Sequence, residues 1–176
     1  MQDGKARWVM EALAQHEAAL LRYATTLVGS SLASDVVQDT FLKLCSAERE
    51  EVEGHLAAWL FTVFKHRALD IGRKERRLRS LEESNVDEAP DSGPVSKLER
   101  RETASRMSTA LAALPERERE ALLLKLDAGL SYKEIAEVMG LSVSNVGFIL
   151  HTAVKSMQRE LARESGLPVR AAGRSS

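Results

Sequence analysis

Apolar residues recur along this chain at three- and four-residue intervals, the spacing of helices with one buried face. The clearest case lies between Leu130 and Met157. Ser131 is followed three residues later by Glu134, the signature of a capping box that opens a helix. Ile135, Ala136 and Met139 supply that helix's apolar face, and Gly140 stops it with a residue that tolerates a left-handed backbone. Leu141 packs back, Ser142 caps a second helix, and Val146, Ile149, Leu150, Ala153, Val154 and Met157 continue at helical spacing. Two helices meeting at a sharp turn predict a helix-turn-helix, whose second helix can enter the DNA major groove.

Nearer the N-terminus, Leu20, Leu21, Ala24, Leu27 and Val28 form a stripe that ends at Gly29. A second helix is predicted from near Ser34, with Val37, Phe41 and Leu44 facing inward. Asp35, Gln38, Asp39 and Lys43 take its other face, where acids near a helix start complement the dipole on a solvated surface. After a polar loop from Ser46 to Gly54, a third helix from about His55 to Arg77 buries Leu60, Val63, Phe64 and Ile71. No alternating runs framed by hairpin turns compete with the helices. Residues 80–97 are rich in Ser, Pro and acids, and such composition cannot bury enough apolar surface to offset ordering entropy. The chain therefore reads as all-α. A helical domain over 1–79 is joined by a flexible acidic linker (80–97) to a second helical domain (98–165) containing the helix-turn-helix, before a disordered tail (166–176).

Charge sharpens this picture. The 176 residues carry a net charge of only −1, so nucleic-acid binding would need basic residues gathered locally. Lys65, Arg67, Arg73, Lys74, Arg76, Arg77 and Arg79 provide that gathering, against only Asp70 and Glu75. Neutralising phosphates with such a patch releases counterions, which favours nucleic acid at low salt. Trp59, Phe61 and Phe64 lie just upstream, and exposed rings can stack on unpaired bases. Of the three, Phe64 reads as core more readily than Trp59 or Phe61.

Other chemistries find little support. Cys45 is the only cysteine, so no intramolecular disulfide and no zinc-binding thiolate pair can form, which suits a reducing cytosol. The start of the chain lacks the apolar core of a signal peptide. The longest apolar run, from Leu56 to Phe61, is far short of the roughly 20 residues that span a bilayer. Glycines are scattered without a phosphate-cradling cluster, and His16, His55, His66 and His151 show no metal spacing. The expectation is a soluble cytoplasmic protein, not an enzyme, with no metal, no cofactor and no membrane insertion.

Four segments, in order, resemble the extracytoplasmic-function (ECF) class of bacterial sigma factors over about Glu17 to Leu161. Asp35-Val36-Val37-Gln38-Asp39-Thr40-Phe41-Leu42 is similar to one family signature. Trp59-Leu60-Phe61 with Ala68-Leu69-Asp70 and the arginine-rich run is similar to a second. Leu114-Pro115-Glu116-Arg117-Glu118-Arg119-Glu120 resembles the lead-in to the family's C-terminal domain, and Ser131-Tyr132-Lys133-Glu134-Ile135-Ala136 the start of its helix-turn-helix. The resemblance implies that Asp35, Gln38, Asp39 and Leu42 dock on core RNA polymerase, replacing the plain solvated-face reading of that surface. It implies that Trp59, Phe61, Lys65, His66, Arg67, Arg73, Lys74, Arg76 and Arg77 meet and help melt the minus-ten element of promoter DNA. The 46–54 loop would capture a flipped base, and the acidic linker would thread toward the polymerase's RNA path. Many such factors are held by an anti-sigma factor, so a protein inhibitor is expected as well.

The second helix of the helix-turn-helix departs from the family pattern. Relatives commonly place basic residues after the valine, whereas Gly147, Phe148 and Ile149 follow Val146 here. Candidates for reading the minus-thirty-five element are Ser144, Asn145, Gly147, Phe148, His151, Thr152 and Lys155. Asn145 can pair with adenine, and Phe148 can touch a thymine methyl. Alternatively Phe148 and Ile149 bind protein. Two other functions therefore stay open: a helix-turn-helix regulator acting without polymerase, and a sigma-like protein-interaction module.

Overall fold

Several helix boundaries fall where glycine, proline or a capping side chain interrupts the apolar spacing. In the computed structural model, which describes residues 2–79 and 98–166, α1 spans Gln2–Val28 and α2 Ser30–Ser46. Between them only Gly29 remains, with φ at 78°, a region open to glycine but strained for other residues. The Gly29 carbonyl already accepts the Ala33 amide at 3.1 Å, so α2 begins at Ser30 and not near Ser34 as patterning predicts. One glycine both stops the first helix and starts the second. The expected polar loop over 46–54 is also largely helical. It forms α3 (Arg49–Val52) and a 3-10 turn (Glu53–His55). Buried Val52 anchors this segment from below, and the Arg49 guanidinium lies 5.8 Å over the Trp8 ring. Next comes α4 (Leu56–Arg79), so these four helices make the N-terminal lobe.

In the C-terminal lobe α5 (Leu98–Ala113) stops before Pro115, which has no amide to donate. Arg119 closes that end by donating to the Leu111, Ala112 and Leu114 carbonyls at 2.9, 2.8 and 2.9 Å. It belongs to α6 (Glu116–Leu122), which widens into a π-helical turn over Leu123–Asp127. α7 (Tyr132–Met139) and α8 (Val143–Glu164) complete the lobe. Among the described residues no strand occurs, in agreement with the all-α expectation. The predicted linker over 80–97 and the tail beyond Gly166 lie outside the described residues.

Leu20, Tyr23, Val36, Leu44, Leu60 and Phe64 fill the N-terminal core, while Leu124, Leu130, Ile135, Val146 and Leu150 fill the other. The Tyr23 ring meets Phe61 and Phe64 edge-on, with centroids 5.2 and 5.5 Å apart. The two cores join: α4 lies against α7, and the π-helical turn lies against α1.

His16 is buried on the α1 face that carries Ala12, Ala19 and Leu20. Burial disfavours its charged form and holds its pKa below the usual 6.5. Below 6.5 the unfolded chain therefore binds a proton that the folded chain resists, so stability falls as pH drops through that value. Thermal unfolding midpoints should fall on acidification from neutral pH, and His16→Leu should flatten that dependence. An equal slope in the variant would assign the proton uptake to another group.

Candidate nucleic-acid and polymerase interfaces

The helix-turn-helix forms as its caps dictate. The Ser131 hydroxyl accepts the Glu134 amide at 3.2 Å, and the Glu134 carboxylate accepts the Ser131 amide at 2.7 Å. Both halves of the capping box are present. Gly140 adopts φ 65° and ψ 39°, the left-handed geometry its position requires. Ser142 then caps α8 by accepting the Asn145 amide at 3.2 Å. The two helices meet at 99°, inside the range for DNA-reading pairs.

Val146, Ile149, Leu150 and Ala153 face inward on α8, while Ser144, Asn145, Phe148, His151 and Lys155 are exposed. Helical geometry brings Ser144, Gly147, Phe148, His151 and Lys155 onto one stripe, since positions three and four apart are neighbours. Val154, expected inside, is 46% exposed, because it lies at the edge of the buried row, displaced from Ala153 toward Val143 and Gly147. Thr152 is half-buried and donates its hydroxyl to the Phe148 carbonyl at 3.0 Å, leaving only acceptor capacity for a base. The outstanding feature is Phe148, 69% exposed in the middle of this stripe.

Gly147 is not forced by packing. A Cβ there would lie 3.8 Å from the Tyr132 ring, an ordinary contact. Glycine inside a helix costs about 1 kcal/mol relative to alanine. Gly147→Ala should accordingly raise stability by about that amount in a thermal or denaturant titration. A loss of stability would mean that the α7–α8 contact depends on the missing methyl.

On α4 the structure sorts the residues predicted for the minus-ten element. Trp59, His66, Arg67, Arg73, Lys74 and Arg77 lie at positions that share one side of the helix, with Trp59 half-buried and the others exposed. Asp70 interrupts the row and sits 3.8 Å from Arg73. Phe61 must be removed from the set. It is 1% exposed and packed on Tyr23, because its position falls on the same side as Leu60, Phe64 and Ala68. Lys65 is on a third side, turned toward the other lobe, with its ammonium 2.6 Å from Glu120. The Arg76 side chain lies outside the described residues.

On α2, Asp35, Gln38 and Leu42 are exposed and Asp39 is half-buried, four positions that form one patch. Leu42 is 60% exposed within this polar surround. Asp39 accepts from the Arg67 guanidinium at 2.9 Å, so the α2 patch and the α4 basic row adjoin. A shallow groove of about 380 Å³ runs between them, lined by Asp39, Lys43, His66, Arg67 and Asp70.

Pattern reading missed Tyr23 and Glu120, which meet between the lobes. Tyr23 donates to Glu120 at 2.7 Å, and burial together with that carboxylate pushes its phenol pKa well up. The available signal was Glu120 itself, an acid four residues before buried Leu124 and hence on the apolar side of α6.

Known proteins share this arrangement. Residues 12–78 match the family described as Sigma-70 region 2, and residues 104–157 match Sigma-70, region 4. The ECF RNA polymerase sigma factor EcfG of Rhodopseudomonas palustris is 31% identical over 134 residues, covering 73% of this chain and 71% of its own. SigE of Mycolicibacterium smegmatis is 28% identical over 160 residues, 88% of this chain, which spans 62% of that relative's length. The solved structure of RpoE in complex with the anti-sigma factor NepR from Bartonella quintana superposes with a TM-score of 0.71 at 24% identity, covering 92% of this chain and 98% of that one. That similarity establishes the same two-lobed helical fold. The chain belongs to the sigma-70 family of transcription initiation factors, within its extracytoplasmic-function group.

Proposed function

We propose that this protein joins core RNA polymerase through Asp35, Gln38, Asp39 and Leu42 and directs it to specific promoters. Trp59, Lys65, His66, Arg67, Arg73, Lys74, Arg76 and Arg77 engage the minus-ten element, and the Ser46 to Gly54 segment contacts a flipped base beside them. Ser144, Asn145, Gly147, Phe148, His151, Thr152 and Lys155 read the minus-thirty-five element. The observation that carries this reading is the division of α4 into a basic, Trp59-bearing side and a fully buried side. Cations there bind phosphates without regard to sequence, and the indole offers a stacking platform to an unpaired base. The chain supplies recognition and the polymerase supplies phosphoryl transfer, so it is not itself an enzyme. Its place is the cytoplasm, where polymerase and chromosome are. RpoE was solved with the anti-sigma factor NepR, and an inhibitor of that kind is the further partner of this reading.

In vitro transcription with purified core polymerase and a genomic promoter library tests the whole reading. Transcripts should start downstream of a shared pair of elements; random start sites with tight core binding would refute promoter selection. Ile149 is buried and drops out of the expected docking pair, but the exposed Phe148 with Val143 favours a second reading of the C-terminal lobe as a protein-docking module. Retained core binding without crosslinking to the minus-thirty-five element would select it.

A further inference from the structure

Glu120 is the acid of α6 whose residue as a whole is buried, 8% exposed between the two lobes. Its Oε1 accepts from the Tyr23 hydroxyl at 2.7 Å and from the Lys65 ammonium at 2.6 Å. Both donors belong to the N-terminal lobe. Beside them Arg22 forms a bidentate pair with Asp127 of the π-helical turn, and α4 lies along α7. A carboxylate is tolerated in such a place only when it is paired and hydrogen-bonded. Glu120 is thus matched by partners it has only while the lobes are together. The raised phenol pKa of Tyr23 keeps that group a donor.

This packing conflicts with reading both promoter elements at once. Elements centred about 25 base pairs apart are separated by roughly 80 Å of duplex, at about 3.4 Å per pair. Here helices of the two DNA-reading lobes touch. Lys65, a cation of the minus-ten set, is meanwhile occupied by Glu120. We propose that Tyr23, Lys65 and Glu120 form an intramolecular latch that holds the free protein closed, and that initiation requires its release, with phosphate replacing Glu120 as the partner of Lys65. The inference rests on the promoter-reading function proposed above. Its consequence is quantitative: when only a fraction f of the protein is open, the affinity owed to contacts that the closed form cannot make, those of Lys65 among them, is reduced by that fraction.

The full-length protein offers a direct test, because exposed Cys45 is its only cysteine. A second label at exposed Arg163, introduced as Arg163→Cys, reports lobe separation by energy transfer. Glu120→Gln removes the charge and keeps the size. Tyr23→Phe keeps the ring contacts with Phe61 and Phe64 and removes the hydroxyl, so it serves where Glu120→Gln does not fold. Circular dichroism confirms helicity in both. In the latched protein, either variant lowers transfer efficiency and tightens binding of a fluorescent oligothymidine strand by up to about tenfold, as the freed Lys65 joins the exposed cations of α4. Unchanged transfer and unchanged strand affinity in folded variants would overturn the latch. Lower transfer with unchanged strand affinity would overturn its coupling to DNA. Neither readout involves polymerase, so a latch that opens normally in a protein unable to direct transcription would refute the functional reading and not the latch.

Discussion

Reversing the charge at Asp39 is expected to weaken binding to core RNA polymerase about 100-fold. Asp35, Gln38, Asp39 and Leu42 make a patch in which one exposed leucine is ringed by polar groups. That composition, an apolar anchor inside a polar rim, concentrates binding energy at the centre of protein interfaces. Losing one partner of a charge pair that docking buries costs about 2–5 kcal/mol, and arginine adds repulsion toward any cation facing that position. The folded protein should lose little. The Asp39–Arg67 pair is close to half exposed on both sides, and such pairs contribute at most about 1 kcal/mol. Asp39→Arg also frees Arg67 from its partner, so strand binding by the isolated protein should hold or improve while polymerase binding falls. Anisotropy titrations with core polymerase and with single-stranded DNA would separate the two effects. Equal core affinity in variant and parent would move the docking surface off α2.

The caps and turn of the helix-turn-helix were legible to the residue because their signals are local. Ser131, Glu134, Gly140 and Ser142 each satisfy or release a backbone group within a few positions of themselves, and the structure uses all four as the spacing predicts. Helical stripes were legible to within one side of a helix. Phe61 and Val154 were misplaced because residues one position from a stripe boundary look alike in sequence, and only the neighbouring helix decides which side is covered. The start of α2 was misjudged because a glycine reads as a stop signal, whereas Gly29 is shared by two helices with no loop between them. Least legible was the contact between lobes. Tyr23, Lys65 and Glu120 are separated by 55 and 97 positions along the chain, and no local pattern predicts their meeting. A lone acid on an apolar stripe announces only that some distant donor must exist.

Trp59 tests whether α4 opens DNA or merely holds it. Its indole is half-buried, resting against the core while part of the ring borders the basic side of the helix. Stacking of a base on such a ring is worth about 1–3 kcal/mol, and it becomes available only once the base is unpaired. On the proposed reading, duplex binding would rest instead on phosphate contacts from Arg73, Lys74 and Arg77, which the substitution leaves in place. Trp59→Ala should therefore reduce open-complex formation about 10- to 100-fold and leave closed-complex affinity nearly unchanged. Permanganate reactivity of unpaired thymines in the minus-ten region reads the first quantity, and footprinting at low temperature reads the second. Trp59→Phe, which retains a stacking face and most of the packing, should restore much of the permanganate signal. Equal loss of closed and open complexes in Trp59→Ala would assign the indole to duplex binding or to the stability of α4, and a wild-type bubble would leave strand opening to other groups.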